Sequence, residues 1–305
     1  MRTRFAPSPT GDLHLGSAYV ALSAYVRART TGGRFVVRME DLDVPRVVVG
    51  ASDRILDDLE WLGLAWDEGP RIGGPHAPYE QSASAPIYDA AIDSLLARGL
   101  AYPCTCSRAD LARTASAPHA GEEGPRYPGT CRDPSARRPR APCFRLASPD
   151  PAVDDFVLRR ADRVASYQLA VVVDDLAMQV DEVQRGDDLL ASTPRQRLLA
   201  TLLGKPPPAY MHLPMVLGPD GERLAKRHQR SWAGTTIGEL RAAGVEAPVI
   251  LGAIAAALGI LDAPRPLGVD DVLACARTRP IAPKGPWTPP WVRRREGPEA
   301  PTDLR

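Results

Sequence analysis

The sequence has no apolar run long enough to cross a bilayer. Its longest, Val249 to Leu261, is broken at Gly252 and Gly259 and falls short of the roughly 20 residues a span requires, so a buried helix is expected there. The N-terminus, MRTRFAPSPTG, carries neither an apolar h-region nor a small-residue cleavage site. Nothing directs export, and a cytoplasmic location with no membrane partner is the expectation. Cysteine is scarce: there are five, an odd number, with Cys104 and Cys106 too close for an easy disulfide framework. Reduced thiols and a metal site fit that usage better. Excess charge of either sign is also absent, with 38 Lys plus Arg against 37 Asp plus Glu, so any nucleic acid would have to be held by a local basic patch. The two commonest nucleotide cradles, GxGxxG and GxxxxGK[ST], occur nowhere in the sequence,.

What is present is enough for a full core. The chain has 305 residues, 44% hydrophobic and 25% charged, close to globular averages, and at about 150 residues per domain it holds one large domain with an insert or two ordinary ones. The first hundred residues alternate in the βα manner: a strand at Arg4 to Ala6, a helix from Gly16 to Thr31, a strand at Arg34 to Met39, and helices from Ser52 to Leu62 and Ser84 to Arg98. This pattern predicts a parallel sheet with crossover helices; Ser52 is the expected N-cap of the second helix. From Cys104 to about Asp150 the composition shifts to Pro, Arg, Gly and Cys, which reads as an insert held by something other than a hydrophobic core. Regular α/β sequence resumes with strands at Phe156 to Arg159, Tyr167 to Val173, Val180 to Val183 and Met211 to Leu217, and a helix opened by Pro194. Helices follow from Ile237 to Leu273. The stretch 280–305 carries seven prolines and is expected to be a loose tail.

The strongest local signal is Arg4-Phe5-Ala6-Pro7-Ser8-Pro9-Thr10-Gly11-Asp12-Leu13-His14-Leu15-Gly16-Ser17. It reads as a strand, a proline-stiffened turn, and a histidine beside a small pair that starts a helix. Unpaired N–H groups and the helix dipole favour phosphate there, and a small residue lets a nucleotide approach closely. Later segments add Val37-Arg38-Met39-Glu40-Asp41-Leu42-Asp43, Tyr167 to Asp175, Val183 to Leu190 and Ser192-Thr193-Pro194-Arg195-Gln196. A basic segment, Arg223-Leu224-Ala225-Lys226-Arg227, follows a Pro219-Asp220-Gly221 turn.

These motifs, in this order, resemble the class I glutamyl-tRNA synthetases, whose HIGH signature is matched by His14-Leu15-Gly16-Ser17. KMSKS is matched by Arg223 to Arg227, which keeps only the second lysine and the hydrophobic position. The resemblance covers roughly residues 2 to 262. It implies a Rossmann-like catalytic domain in two halves, 1–100 and 156–235, a zinc-binding acceptor-stem-type insert at 101–155, and a helical C-terminal part at 236–279. It further implies a glutamate site of Arg4, Ser8, Glu40, Tyr167 and Arg185, with guanidinium groups suited to carboxylates and Glu40 to the ammonium. The implied ATP site is Pro7, His14, Gly16, Ser17, Arg223, Leu224 and Lys226, with His14 and Lys226 as the catalytic pair stabilising phosphate charge beside Mg²⁺.

Within the insert, Cys104, Cys106 and Cys131 provide three thiolates, and Tyr127 a phenol. By spacing, His119 and Cys143 are rival fourth ligands for a tetrahedral zinc. Resemblance to the glutamyl-Q tRNA(Asp) branch of this family, with its Cys-x-Cys and Tyr-x-x-x-Cys arrangement, implies one zinc on Cys104, Cys106, Tyr127 and Cys131. Between Arg126 and Arg145 stand six arginines and one acidic residue, Asp133, a local field suited to phosphates. Only a short stretch follows Lys226, where full glutamyl-tRNA synthetases carry a long anticodon-binding region. The same branch therefore implies a monomer that uses ATP and L-glutamate to modify queuosine at the wobble position of tRNA(Asp). Two alternatives remain: a truncated glutamyl-tRNA synthetase that charges a tRNA 3′ end, and a non-catalytic RNA-binding paralogue.

Overall fold

The computed structural model describes residues 1–107, 109–111, 126–224 and 231–295. In chain order they form β1 (Arg2–Phe5), α1 (Leu15–Thr30), β2 (Arg34–Val37), α2 (Ala51–Trp61), α3 (Ala85–Ala97), β3 (Ala101–Cys104), β4 (Cys143–Leu146) and β5 (Val157–Arg159). After these come α4 (Tyr167–Ala177), β6 (Glu182–Gly186), α5 (Thr193–Leu202), β7 (Ala209–Leu213), β8 (Trp232–Ala233), α6 (Ile237–Ala242), α7 (Ala247–Ala257), α8 (Val269–Thr278) and β9 (Arg293–Arg294). Two compact units share the chain: Met1–Ser8, Gly32–Pro45 and Trp66–His212 make the first, and Pro9–Thr31, Arg46–Ala65 and Leu213–Arg305 the second.

The first unit contains a four-stranded sheet in the order β2-β1-β6-β7, with β1 parallel to both β2 and β6. The expected parallel sheet is therefore present. Phe35, Val36 and Val37 of β2 are all fully buried, as a strand covered on both faces should be. Entry to β2 needs Gly33: a Cβ there would stand 1.7 Å from the Met1 carbonyl oxygen, which accepts from the Arg34 N–H. A second sheet, β3-β4-β5, is antiparallel. The strand expected to resume the α/β pattern at Phe156 belongs to this sheet instead, with Val157 opposite Arg145.

One expectation fails outright. Tyr167 to Val173 is not a strand but the first part of helix α4. Its β-branched run suggested a buried strand, and Gln168 to Asp175 are all buried, so no periodicity was there to distinguish the two. The deciding features are local and tertiary: the Ser166 hydroxyl accepts from the Leu169 N–H at 3.2 Å and caps the helix,, and its apolar residues share one core with Tyr88, Ile92 and Leu95 of α3 and Leu199 of α5.

Smaller shifts have simple causes. β7 ends at Leu213 because Pro214 has no N–H for a ladder. β6 starts at Glu182, since the Val180 N–H is still committed to the Asp175 carbonyl at the end of α4. Helix α2 is entered through Gly50 at φ 72°, not capped by Ser52, which lies inside its first turn.

In the second unit α1, α7 and α8 pack together, and α7 is the buried helix expected from the apolar run, ending at Ala257. The stretch 280–295, expected as loose, is built into this unit. Trp287 exchanges backbone hydrogen bonds with Met215 and Leu217, its ring stands 6.0 Å from Tyr19, and β9 pairs antiparallel with β8. Residues 296–305 lie outside the described part. Among the described residues no helix is long and apolar enough to cross a membrane.

Candidate active site and cysteine cluster

In the first unit the ends of β1, β2 and β6 and the start of α4 gather most of the charged residues expected to meet glutamate. Arg4 of β1 is 4% exposed; its Nε lies 3.4 Å from Asp175 Oδ1 and its Nη1 donates to the Gln184 carbonyl at 3.2 Å. Glu40 follows β2 and is fixed at both ends. Its N–H donates to the Pro7 carbonyl at 2.9 Å, and its carboxylate accepts from Arg38 Nη2 at 3.3 Å. Ser8, next to Pro7, is exposed, and Tyr167 opens α4 with 38% of its surface accessible. Burial, reinforced by the Glu40 charge, pushes the Tyr167 phenol up to about 12.

Glu40 also belongs to a charged cluster whose other members, Arg38, Asp174 and Asp175, were given no role from the sequence. Arg38 is fully buried and contacts three carboxylates: Asp175 at 2.7 Å, Asp174 at 3.5 Å and Glu40 at 3.3 Å. Asp174 also accepts from Gln81 Nε2 at 2.7 Å and from the Tyr88 hydroxyl at 2.9 Å. Burial raises the pKa of Asp174, and Arg38 opposes the shift; Glu40 is raised for the same reason against the same cation. Such a cluster fixes geometry more than it adds stability, because each ion has lost its water. Both Arg38 and Asp175 stand inside the motif segments, so a search for buried partners of the expected arginine would have found them.

Arg185 has different company. On β6, 3% exposed, it donates to Gln196 Oε1 at 2.5 Å, Thr193 Oγ1 at 2.8 Å and His212 Nε2 at 3.3 Å. Its guanidinium lies 4.7 Å from the centre of the Tyr210 ring. Gln196, Thr193, His212 and Tyr210 were not assigned from sequence.

The residues expected around ATP fall mostly in the second unit. His14 is the N-cap residue of α1 in an extended conformation and bridges to Thr236, while Leu15 N–H donates to the Thr235 carbonyl at 3.0 Å. Gly16 and Ser17 form the first turn. A Cβ on Gly16 would stand 3.7 Å from Val216 Cβ, and Val216 accepts through its carbonyl from Leu224 N–H at 2.8 Å. Arg223 bridges back to Leu217. Val216 thus brings the HIGH-like turn and the start of the KMSKS-like segment together. Lys226 and Arg227 lie outside the described residues, as does His119.

The cysteine cluster closes one end of the β3-β4-β5 sheet. The sulfurs of Cys104, Cys106 and Cys131 all lie within 4.8 Å of one another, and Cys106 and Cys131 are 3.5 Å apart. The Tyr127 oxygen is 3.3 Å from Cys104 Sγ and 3.7 Å from Cys106 Sγ. Zn–S and Zn–O bonds of about 2.3 and 2.0 Å give tetrahedral edges of about 3.5 to 3.8 Å; the Cys106–Cys131 edge and the two from Tyr127 lie close to this range, so the cluster is compatible with zinc. Cys143 stands opposite Cys104 across the ladder and is not part of the three-sulfur group. A hydrogen bond from Cys143, helped by Tyr127 and Arg145, pulls the Cys104 thiol down to about 4. Arg145 completes the surroundings, with Nε 3.3 Å from Cys104 Sγ and its guanidinium 3.9 Å from the centre of the Tyr127 ring.

The family of tRNA synthetases class I (E and Q), catalytic domain, matches residues 1–149 and 143–254. The chain belongs to this family. Its catalytic fold is accordingly that of a class I aminoacyl-tRNA synthetase, α/β with a parallel sheet, and its enzyme class a ligase acting on tRNA. Among relatives of this synthetase, the glutamyl-Q tRNA(Asp) synthetase of Symbiobacterium thermophilum is 48% identical over 295 residues, covering 88% of this chain and 90% of the relative. The glutamate–tRNA ligase of Heliobacterium modesticaldum is 43% identical over 75% of this chain, and only 51% of that ligase is covered. A crystal structure of a glutamate tRNA ligase from Elizabethkingia meningosepticum, in complex with its amino acid, superposes on 94% of this synthetase with a TM-score of 0.78 and 26% identity, over 67% of its own length.

Proposed function

We propose that this synthetase activates L-glutamate with ATP and transfers the glutamyl group to queuosine at the wobble position of tRNA(Asp). The observation that carries the activation step is the pocket itself: a buried Arg185 among neutral groups suits a side-chain carboxylate, and Glu40, oriented by Arg38, suits the ammonium. The relative at 48% identity, covered over 90% of its length, supports the acceptor. In the first step the glutamate α-carboxylate attacks the α-phosphorus of ATP, the bond to the bridging oxygen breaks, and pyrophosphate leaves. His14 and Lys226 stabilise the phosphate charge, and Mg²⁺ bound with ATP would neutralise part of it. In the second, a queuosine hydroxyl attacks the activated carbonyl carbon, AMP departs, and the hydroxyl proton is lost. The adenylate is reactive enough that no protein base is needed. Arg4 and Tyr167 border the glutamate and exclude water from it.

In the same reading the insert at 101–155 holds one zinc through Cys104, Cys106, Tyr127 and Cys131. Zinc there supplies structure, organising a segment whose basic residues face tRNA phosphates. The chain works as a monomer. Charging of a tRNA 3′ end is the second reading, favoured by the 43% identity to a glutamate–tRNA ligase. Mass spectrometry of nucleosides from queuosine-containing tRNA(Asp) incubated with ATP and glutamate separates them. A glutamylated queuosine nucleoside is expected; glutamate found only as a 3′-terminal ester would replace the first reading by the second.

A further inference from the structure

Three buried arginines approach the amino-acid pocket, but only two of them stand against carboxylates. Arg4 lies 3.4 Å from Asp175, and Arg38 contacts Asp174, Asp175 and Glu40. Arg185 donates all of its observed side-chain hydrogen bonds to uncharged acceptors: an amide oxygen, a hydroxyl and an imidazole nitrogen. Among the described residues no carboxylate hydrogen-bonds to it, and Asp175 acts on it only as the least of several charges.

The acceptors are themselves held in order. Gln196 Nε2 donates to Gln168 Oε1 at 3.0 Å, and Gln168 Nε2 donates to Ser192 Oγ at 2.9 Å. This relay of buried, neutral groups points the Gln196 amide oxygen, and not its NH₂, at Arg185. Thr193 Oγ1 and His212 Nε2 are also within 3.1 Å of each other. Burial and the Arg185 charge lower the His212 pKa, against the smaller pull of Asp187 and Asp188, so both disfavour a second cation beside the guanidinium.

We infer that Gln196, Thr193 and His212 are positioning residues that orient Arg185 while leaving its charge available, and that this neutral cage sets the preference for a side-chain carboxylate over an amide. The inference rests on the glutamate pocket of the proposed function. Its physical content is that the acceptors must be uncharged. A carboxylate in the cage would hydrogen-bond Arg185 more strongly than an amide does and yet weaken substrate binding, because the guanidinium would already be neutralised.

That gives an ordering which a purely structural role reverses. Gln196→Glu keeps an acceptor for Arg185, and the relay adapts: the Gln168 amide turns over to donate to the new carboxylate, and the Ser192 hydroxyl turns to donate to Gln168. Gln196→Met removes the acceptor. Glutamate-dependent exchange of pyrophosphate into ATP would be measured for both variants and wild type in the presence of tRNA(Asp), with glutamine as competing amino acid and melting temperature as the folding control. The cage predicts that Gln196→Glu raises the glutamate KM at least about tenfold, lowers the glutamate-to-glutamine ratio of kcat/KM, and is worse than Gln196→Met; if Gln196→Glu binds glutamate as well as or better than Gln196→Met, the inference is overturned. Should Gln196→Glu not fold, the pair His212→Glu and His212→Gln tests the same ordering, the charged variant being the worse. An Arg185→Met variant with unchanged glutamate KM would instead remove the pocket on which the inference depends.

Discussion

The proposed amino-acid pocket and the cysteine cluster both take polar groups out of water, and they compensate for it by different means. In the pocket Arg38 is surrounded by Asp174, Asp175 and Glu40, with Gln81 and Tyr88 completing the hydrogen bonds of Asp174. Opposite charges are already paired, so the geometry is prepared before any substrate arrives. In the cluster the four donor atoms are all of the kind that binds zinc as anions, and one nearby cation, Arg145, faces them. Among the described residues Tyr102, Cys104, Tyr127 and Cys131 form its buried core. In the proposed reading, a metal would give this segment what the pocket obtains from ion pairs and a hydrophobic core.

The largest effect expected from this contrast is at the cluster. Structural zinc sites contribute about 10–16 kcal/mol of apparent binding energy at neutral pH, so Cys131→Ser should reduce bound zinc from one equivalent toward none, as measured by elemental analysis. It should abolish transfer to tRNA while glutamate-dependent pyrophosphate exchange persists. Loss of exchange in parallel with zinc would show that the two regions are not separable. Next comes Arg38→Met, which leaves three carboxylates without their shared cation; a loss of roughly 3–5 kcal/mol is expected in urea denaturation, and a change under 1 kcal/mol would show that the cluster is not held by charge pairing.

Arg145→Met is expected to weaken zinc binding roughly 10- to 100-fold in competition with a chromophoric chelator, with Arg145→Lys intermediate. Equal affinity in all three proteins would limit Arg145 to packing. The smallest effect is on stability at Glu40. Burial raises its pKa, so the folded protein holds a proton at pH values where the unfolded chain has released it. Its contribution favours folding at low pH and is lost as pH rises from the unfolded value through the folded one. Glu40→Gln should therefore raise the melting temperature slightly at neutral pH and flatten that slope, while increasing the glutamate KM. A lower melting temperature would mean that its pairing with Arg38 outweighs its burial.

Much of this was legible in the sequence, for identifiable reasons. β2 and α7 announce themselves through apolar runs; spacing left the fourth partner of Cys104, Cys106 and Cys131 open, the family resemblance pointed to Tyr127, and the folded chain brings these four side chains together. Helix α4 was misread because burial on all sides erases the periodicity that separates helix from strand. Its cap at Ser166, with the N–H of Leu169 as partner, was the local signal available. Trp287 and β9 were hidden by their prolines, which speak against regular structure but not against packing. The neutral company of Arg185 was out of reach for another reason: Gln196 and His212 come from different elements, α5 and β7, and nothing in their spacing tells which way an amide faces.

Glutamate-dependent exchange of pyrophosphate into ATP, assayed on purified protein with magnesium, zinc and tRNA(Asp), tests the central claim most directly. Exchange that saturates with glutamate and is not supported by glutamine is the predicted result. No exchange with any amino acid, from folded protein supplied with zinc, would contradict the account.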